Sequence, residues 1–176
     1  LVTADAGTHT ISVSTKEVVK IPNKFIDTNL PNGVAEASLN MIGCNASGKY
    51  SFAIGYETTA SGNQSYAEGY QTEASGFRGH AEGTETTASG DYSSHAEGYG
   101  ATASGDYGSH AEGYYAIAAS KYQHAQGKYN IKDSANTYAH IVGNGTYSAR
   151  SNAHTLDWSG NAWFAGDFYV GSTGGT

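Results

Sequence analysis

The sequence predicts an all-β protein built on a parallel β-solenoid with 14 to 15 residues per coil. Three observations predict it. Small-residue triplets recur at fixed spacing, glycine recurs twice in every repeat, and large aliphatic residues almost vanish from the repeating region.

The first triplet is Ala46-Ser47-Gly48. It recurs at Ala60-Ser61-Gly62, Ala74-Ser75-Gly76, Ala88-Ser89-Gly90 and Ala103-Ser104-Gly105, with Ala118-Ala119-Ser120 as a degenerate sixth copy. The second reads Ala53-Ile54-Gly55, Ala67-Glu68-Gly69, Ala81-Glu82-Gly83, Ala96-Glu97-Gly98, Ala111-Glu112-Gly113 and Ala125-Gln126-Gly127. From each second triplet to the next first triplet the step is always seven residues. From a first triplet to its second it is seven in four coils and eight in two. Both long coils carry the extra residue in the same place, in Gly90-Asp91-Tyr92-Ser93-Ser94-His95 and Gly105-Asp106-Tyr107-Gly108-Ser109-His110. An insertion accepted at one point marks a surface turn. Each coil is therefore two short strands joined by two turns.

Helix is excluded by the paired glycines and by the lack of a 3.6-residue apolar stripe. On a strand, alternation puts Ala and Gly of the second triplet on one face and its flanking residues on the other. Ala and Gly are thus expected to fill the inside. Between Asn45 and Gly127 the only Ile, Leu, Val or Met residues are Ile54 and Ile117, so the interior must be thin. Coils advancing roughly 4.8 Å each would make six of them about 30 Å tall. So small a core is marginal alone, and self-association about a rotation axis is the expected remedy.

Composition narrows the function. Leu, Ile, Val and Phe together number 24, as many as Gly, while Tyr contributes 14. The formal net charge of -7 and the absence of a basic patch argue against a nucleic-acid partner. Cys44 is the single cysteine, with no partner for a disulfide and no zinc-finger spacing. No apolar run is long enough for a membrane-spanning helix, and no signal peptide is seen. Leu1 stands first, without Met, which leads to the expectation of a piece of a longer protein.

Three regions follow. Residues 1–44 hold Pro22, Pro31 and an alternating stretch, Thr10-Ile11-Ser12-Val13-Ser14, and are read as an attachment and capping segment. Residues 45–129 are the solenoid. Residues 130–176 regain large apolar residues and form a β-rich segment, in which Trp158-Ser159-Gly160-Asn161-Ala162-Trp163 reads as a hairpin turn and Gly171-Ser172-Thr173-Gly174-Gly175-Thr176 as a flexible tail.

The frame Ser51-Phe52-Ala53-Ile54-Gly55, Thr59-Ala60-Ser61-Gly62, Ser65 resembles the head repeat of trimeric autotransporter adhesins. The resemblance covers about residues 45–129 and implies a homotrimer of left-handed parallel β-rolls. The flanks resemble tail-fibre proteins of phages and prophages of Gram-positive bacteria. These are Lys20-Ile21-Pro22-Asn23-Lys24-Phe25-Ile26, the stretch from Ala149 to Trp163, and Gly166-Asp167-Phe168-Tyr169-Val170-Gly171. That likeness implies a virion or phage-like particle, extracellular when acting, and a receptor-binding protein that meets a bacterial cell-surface glycan or protein. His-Ala-Glu-Gly stands where the adhesin repeat often has apolar residues, a departure from a greasy trimer interface.

Two columns are candidate sites. His80, His95, His110 and His124 precede Glu82, Glu97, Glu112 and Gln126 by two residues, so imidazole and carboxylate share a face. This column is expected at the trimer axis. It reads either as a ladder of His–Glu hydrogen bonds or as ligands for a divalent metal ion, since imidazole suits zinc or nickel. Either reading predicts pH sensitivity. Tyr92, Tyr107 and Tyr122 share a slot with Tyr50, and Tyr56, Tyr70, Tyr99 and Tyr114 share another. The first set can stack on a sugar face, or simply on neighbouring coils. No organic cofactor is expected. Nor is catalysis: carboxylates in repeated register are not the unique pair in a cleft that acid–base chemistry needs. An ice-binding face needs unbroken Thr columns, and here Thr58, Thr72 and Thr86 give way to Ala101 and Ala116, too broken a column for that role.

Overall fold

The computed structural model describes residues 41–167, so most of the attachment and capping segment expected at 1–44, with its alternating stretch from Thr10 to Ser14, and the flexible tail expected from Gly171 to Thr176 lie outside the described residues. These residues form strands and turns with no helix, and the parallel β-solenoid is observed, with about seven turns. Six five-residue strands make one wall: Phe52–Tyr56, Tyr66–Tyr70, His80–Thr84, His95–Tyr99, His110–Tyr114 and His124–Lys128. Each pairs in parallel with the next, Ala on Ala and Gly on Gly. The opposite wall is six two-residue strands, from Asn45–Ala46 to Ile117–Ala118. No helix of the described residues is long and apolar enough to cross a membrane.

The interior is a stack of ladders. Ala53, Ala67, Ala81, Ala96, Ala111 and Ala125 form one, and Ala60, Ala74, Ala88, Ala103 and Ala118 another, all essentially without solvent contact. A buried methyl contributes only about 0.8 kcal/mol. The continuous backbone ladder and ring stacking outside the coil must therefore supply much of the cohesion.

The glycines of the second triplet do not face inward as alternation predicted. Gly55, Gly69, Gly83, Gly98, Gly113 and Gly127 have φ between +91° and +126°, and most are exposed. Their left-handed backbone breaks the strand's alternation after one inward Ala. At Gly83 a side chain would also strike the next coil, since a Cβ there would lie 2.2 Å from the Gly98 oxygen.

The threonine column turns inward in the same way. Thr58, Thr72 and Thr86 are buried, as are Ala101 and Ala116, so they line the interior and present nothing to ice. The preceding corner residues, among them Glu57, Gln71, Glu85 and Tyr115, sit at φ of 52–55°. This left-handed step turns the next side chain inward.

The elastic turn lies where the eight-residue steps placed it. Tyr50, Gln64, Arg78, Tyr92, Tyr107 and Tyr122 occupy it at φ of 59–64°. In the two long coils a second left-handed residue follows, Ser93 at 73° and Gly108 at 78°, and both are exposed. Side chains tie this turn from coil to coil: Asn63, Asp91 and Asp106 each accept a hydrogen bond from the backbone NH of Lys49, Phe77 and Asp91, respectively, at 2.9–3.0 Å.

Stacking continues past Lys128. Tyr138–Asn144 adds in parallel to His124–Lys128, and Asn152–Asp157 and Ala162–Phe164 then turn back antiparallel. The second turn is the expected hairpin, with Gly160 at φ +87° and Trp158 in the turn itself. Asp157 accepts hydrogen bonds from Ser159 N, Asn161 N and Asn161 Nδ2, each at 2.8 Å, which holds its carboxyl below the usual range. The core thickens here: Ile141 lies beside Ala125, and the buried amides of Gln123 and Asn130 replace the small residues of earlier coils.

Candidate functional site

Parallel register with one dominant repeat length forces equivalent side chains into columns. On the outer face of the long wall the residue before each buried Ala builds a continuous row of rings. Phe52 stacks on Tyr66 at 5.2 Å between centroids, and Tyr66 meets His80 edge-on at 5.1 Å. His80, His95, His110 and His124 then stack nearly parallel at 4.6–4.8 Å. The four predicted histidines are thus brought together. Two more extend the row: His140 lies 5.2 Å from His124, and His154 lies 5.5 Å from His140 and 4.6 Å from Phe164. Of the chain's seven histidines, six stand in this column.

The carboxylates stand beside it in register, Glu68, Glu82, Glu97 and Glu112. His95, His110 and His124 each reach back to the Glu of the preceding coil. His95 Nε2 lies 3.2 Å from Glu82 Oε1, His110 Nε2 3.2 Å from Glu97 Oε1, and His124 Nε2 3.4 Å from Glu112 Oε1. The last lacks hydrogen-bond geometry. Glu68 instead accepts from Tyr66 Oη at 3.1 Å. His80 Nε2 is buried and has no hydrogen-bond partner among the described residues. Burial pushes the His80 pKa down, and the neighbouring His95 adds to this against the pull of Glu82, Glu68 and Glu97. His140 is lowered by burial and then by His124 and His154, opposed by Glu112.

The tyrosine column forms at the elastic turn. Tyr92 and Tyr107 are parallel at 5.0 Å, Tyr107 and Tyr122 lie 5.5 Å apart, and Phe77 and Trp158 close the two ends edge-on. All three tyrosines stay about half exposed, at 51%, 42% and 59%. Lys121 Nζ sits 5.3 Å from the Tyr107 ring centre. Tyr56 stacks on Tyr70 and Tyr99 on Tyr114, but Thr84 interrupts that second column. Below it Tyr115 and Tyr129 stack at 5.2 Å, with Arg150 over Tyr129.

The sequence did not reveal a groove of about 640 Å³ in the C-terminal region, walled by Ile131, Tyr138, Asn144, Asp157 and Trp163. Its walls come from segments far apart in sequence and outside the repeat. The signal for His140 was present: His140-Ile141-Val142-Gly143 keeps the frame of His124-Ala125-Gln126-Gly127.

Residues 46–72 match the model of the YadA head domain repeat, in two copies. Those copies take in the coils whose column positions are Phe52 and Tyr66, and the His-Ala-Glu-Gly coils lie beyond them. No curated protein and no solved structure matches the chain. The adhesin-like character of the head repeats thus rests on the family match and on the β-roll itself.

Proposed function

We propose that this chain is the structural and receptor-binding part of a homotrimeric phage or phage-like tail fibre, which attaches in multivalent fashion to a bacterial cell surface through glycan. The observation that carries the reading is the Tyr92–Tyr107–Tyr122 column, three half-exposed rings held at 5.0–5.5 Å by the coil stack. Rings with a polar tip suit a wet binding site. A trimer would present three such columns, so weak contacts would add through effective concentration. The task is display at fixed spacing, and no reaction is assigned to it. The His/Glu face is the surface by which three copies would pack about an axis.

A second reading is the head of a bacterial trimeric adhesin that binds a host matrix protein, favoured by the match over residues 46–72. A third is a spacer whose binding tip lies elsewhere. The labelled protein, incubated with Gram-positive cells and separately with immobilised matrix protein, distinguishes them. Saturable binding to cells, competed by their wall glycan and lost in Tyr107→Ala at unchanged oligomeric mass, is the expected result. Binding to matrix protein alone favours the adhesin head. Binding to neither leaves the spacer, and unchanged cell binding by Tyr107→Ala removes the tyrosine column from the account.

A further inference from the structure

We propose that the His/Glu column holds two divalent transition-metal ions per chain, one at His80, Glu82 and His95 and the other at Glu97, His110 and Glu112. Within each group one ligand atom from every residue lies within 4.8 Å of the others. The two groups share no residue and follow one another along the wall.

Three features support the assignment. The first is distance. Ligand atoms on a tetrahedral ion with bonds of about 2.0 Å stand roughly 3.3 Å apart. His95 Nε2 and Glu82 Oε1 at 3.2 Å already meet that edge, as do His110 Nε2 and Glu97 Oε1. The third ligand must approach by a side-chain rotation. Partial exposure of these side chains in the single chain leaves room for it before three copies close on this face. The second is His80 Nε2, a buried nitrogen with no hydrogen-bond partner among the described residues. A buried ring nitrogen with no partner is a polar atom that a metal ion would satisfy in the tautomer that leaves it bare, and His80 belongs to the first group. The third is charge. Glu68, Glu82, Glu97 and Glu112 stand on adjacent strands in register. Like charges so placed repel. No Lys or Arg pairs with them among the described residues. A divalent ion in each group would offset this repulsion.

The donors are imidazole nitrogen and carboxylate oxygen with no thiolate, which selects zinc, cobalt or nickel over copper(I) or an iron–sulfur cluster. Three protein ligands leave one position of a tetrahedral ion for water. His124 has Glu112 as its carboxylate neighbour and belongs to neither group. The inference is independent of the ligand proposed for the tyrosine column, and its readout is metal content, so either can fail alone.

The test uses the full chain, stripped with chelator and titrated calorimetrically with zinc chloride. Two ions per chain are expected, with Tm raised by roughly 10–20 °C when free zinc is about a hundredfold above Kd at both sites. His95→Gln should leave one ion, His95→Gln with His110→Gln none, and His124→Gln two. Fewer than two ions in the unsubstituted chain, or two ions retained by the double variant, overturns the assignment. If the double variant does not fold, cobalt(II) in the unsubstituted chain decides. Intense visible bands of four-coordinate cobalt sustain the proposal, and the weak spectrum of the hydrated ion contradicts it.

Discussion

The side-chain amide of Asn130 stands beside Ile117 as another strand would. Its Oδ1 accepts from Ile117 N at 2.7 Å and its Nδ2 donates to Ile117 O at 2.9 Å. Ile117–Ala118 is the last strand of the short wall, and its edge would otherwise be unpaired. Gln123 continues the cap, with Oε1 accepting from Ala119 N at 3.0 Å and Ser120 N at 3.4 Å. A solenoid needs such closure, because its end coil offers a free strand edge. Asn130→Ala strips the partners from two backbone groups, each worth about 1–3 kcal/mol when buried and unsatisfied. The expected loss is about 2–4 kcal/mol in urea unfolding. A loss within about 0.5 kcal/mol, the range of an ordinary surface substitution, would contradict the cap.

Two positions of the elastic turn predict opposite tolerance. A Cβ on Gly90 would lie 2.0 Å from the Gly105 oxygen, a backbone atom of the next coil that cannot yield. Gly90→Ala should therefore cost about 3 kcal/mol or more, as overpacking does in a tight core. Removal of Ser93 converts a long coil into the short form already used around Gln64 and Arg78. It should shift stability by less than about 1 kcal/mol, as loop-length changes at exposed turns do. Thermal melts of the two variants test the contrast. Equal losses would contradict it.

Acid should weaken the fold through His80 and His140. Both have pKa values lowered in the folded chain, mainly by burial. Between the folded and unfolded values the unfolded chain binds more protons, so stability rises with pH through that window. Their contribution is complete above the ordinary value of 6.5 and declines as pH falls below it. Tm should fall from pH 7.5 to pH 5.5, and less so in the variant carrying His80→Gln and His140→Gln. A Tm that is flat, or rises in acid, would contradict this.

The coil length, both walls and the columns through His80 and Tyr107 were legible in the sequence because a parallel stack converts a linear period directly into contacts. Alternation failed where the backbone left the strand region. The left-handed glycines such as Gly83 and corner residues such as Glu57 change which way the next side chain points, and a period-two pattern cannot carry that. The pairing of His95 with Glu82 of the preceding coil was not legible, because the pattern fixes the face but not the direction in which a long side chain leans. His140 and His154 escaped notice for different reasons. The first keeps the His-Xaa-Xaa-Gly frame after a longer connection, and the second arrives on an antiparallel strand that the repeat does not describe. The capping amides of Asn130 and Gln123 were hidden because a polar residue in a buried slot reads as a lapse of the repeat until its partners are seen.

The central claim is that three copies pack through the His/Glu face and display the tyrosine columns outward. The solution mass of the purified chain by light scattering at neutral pH tests it most directly. The account predicts three times the 18.3 kDa of one chain, a mass retained by Tyr107→Ala. A stable monomer of 18.3 kDa would contradict it and leave the His/Glu column free to face solvent.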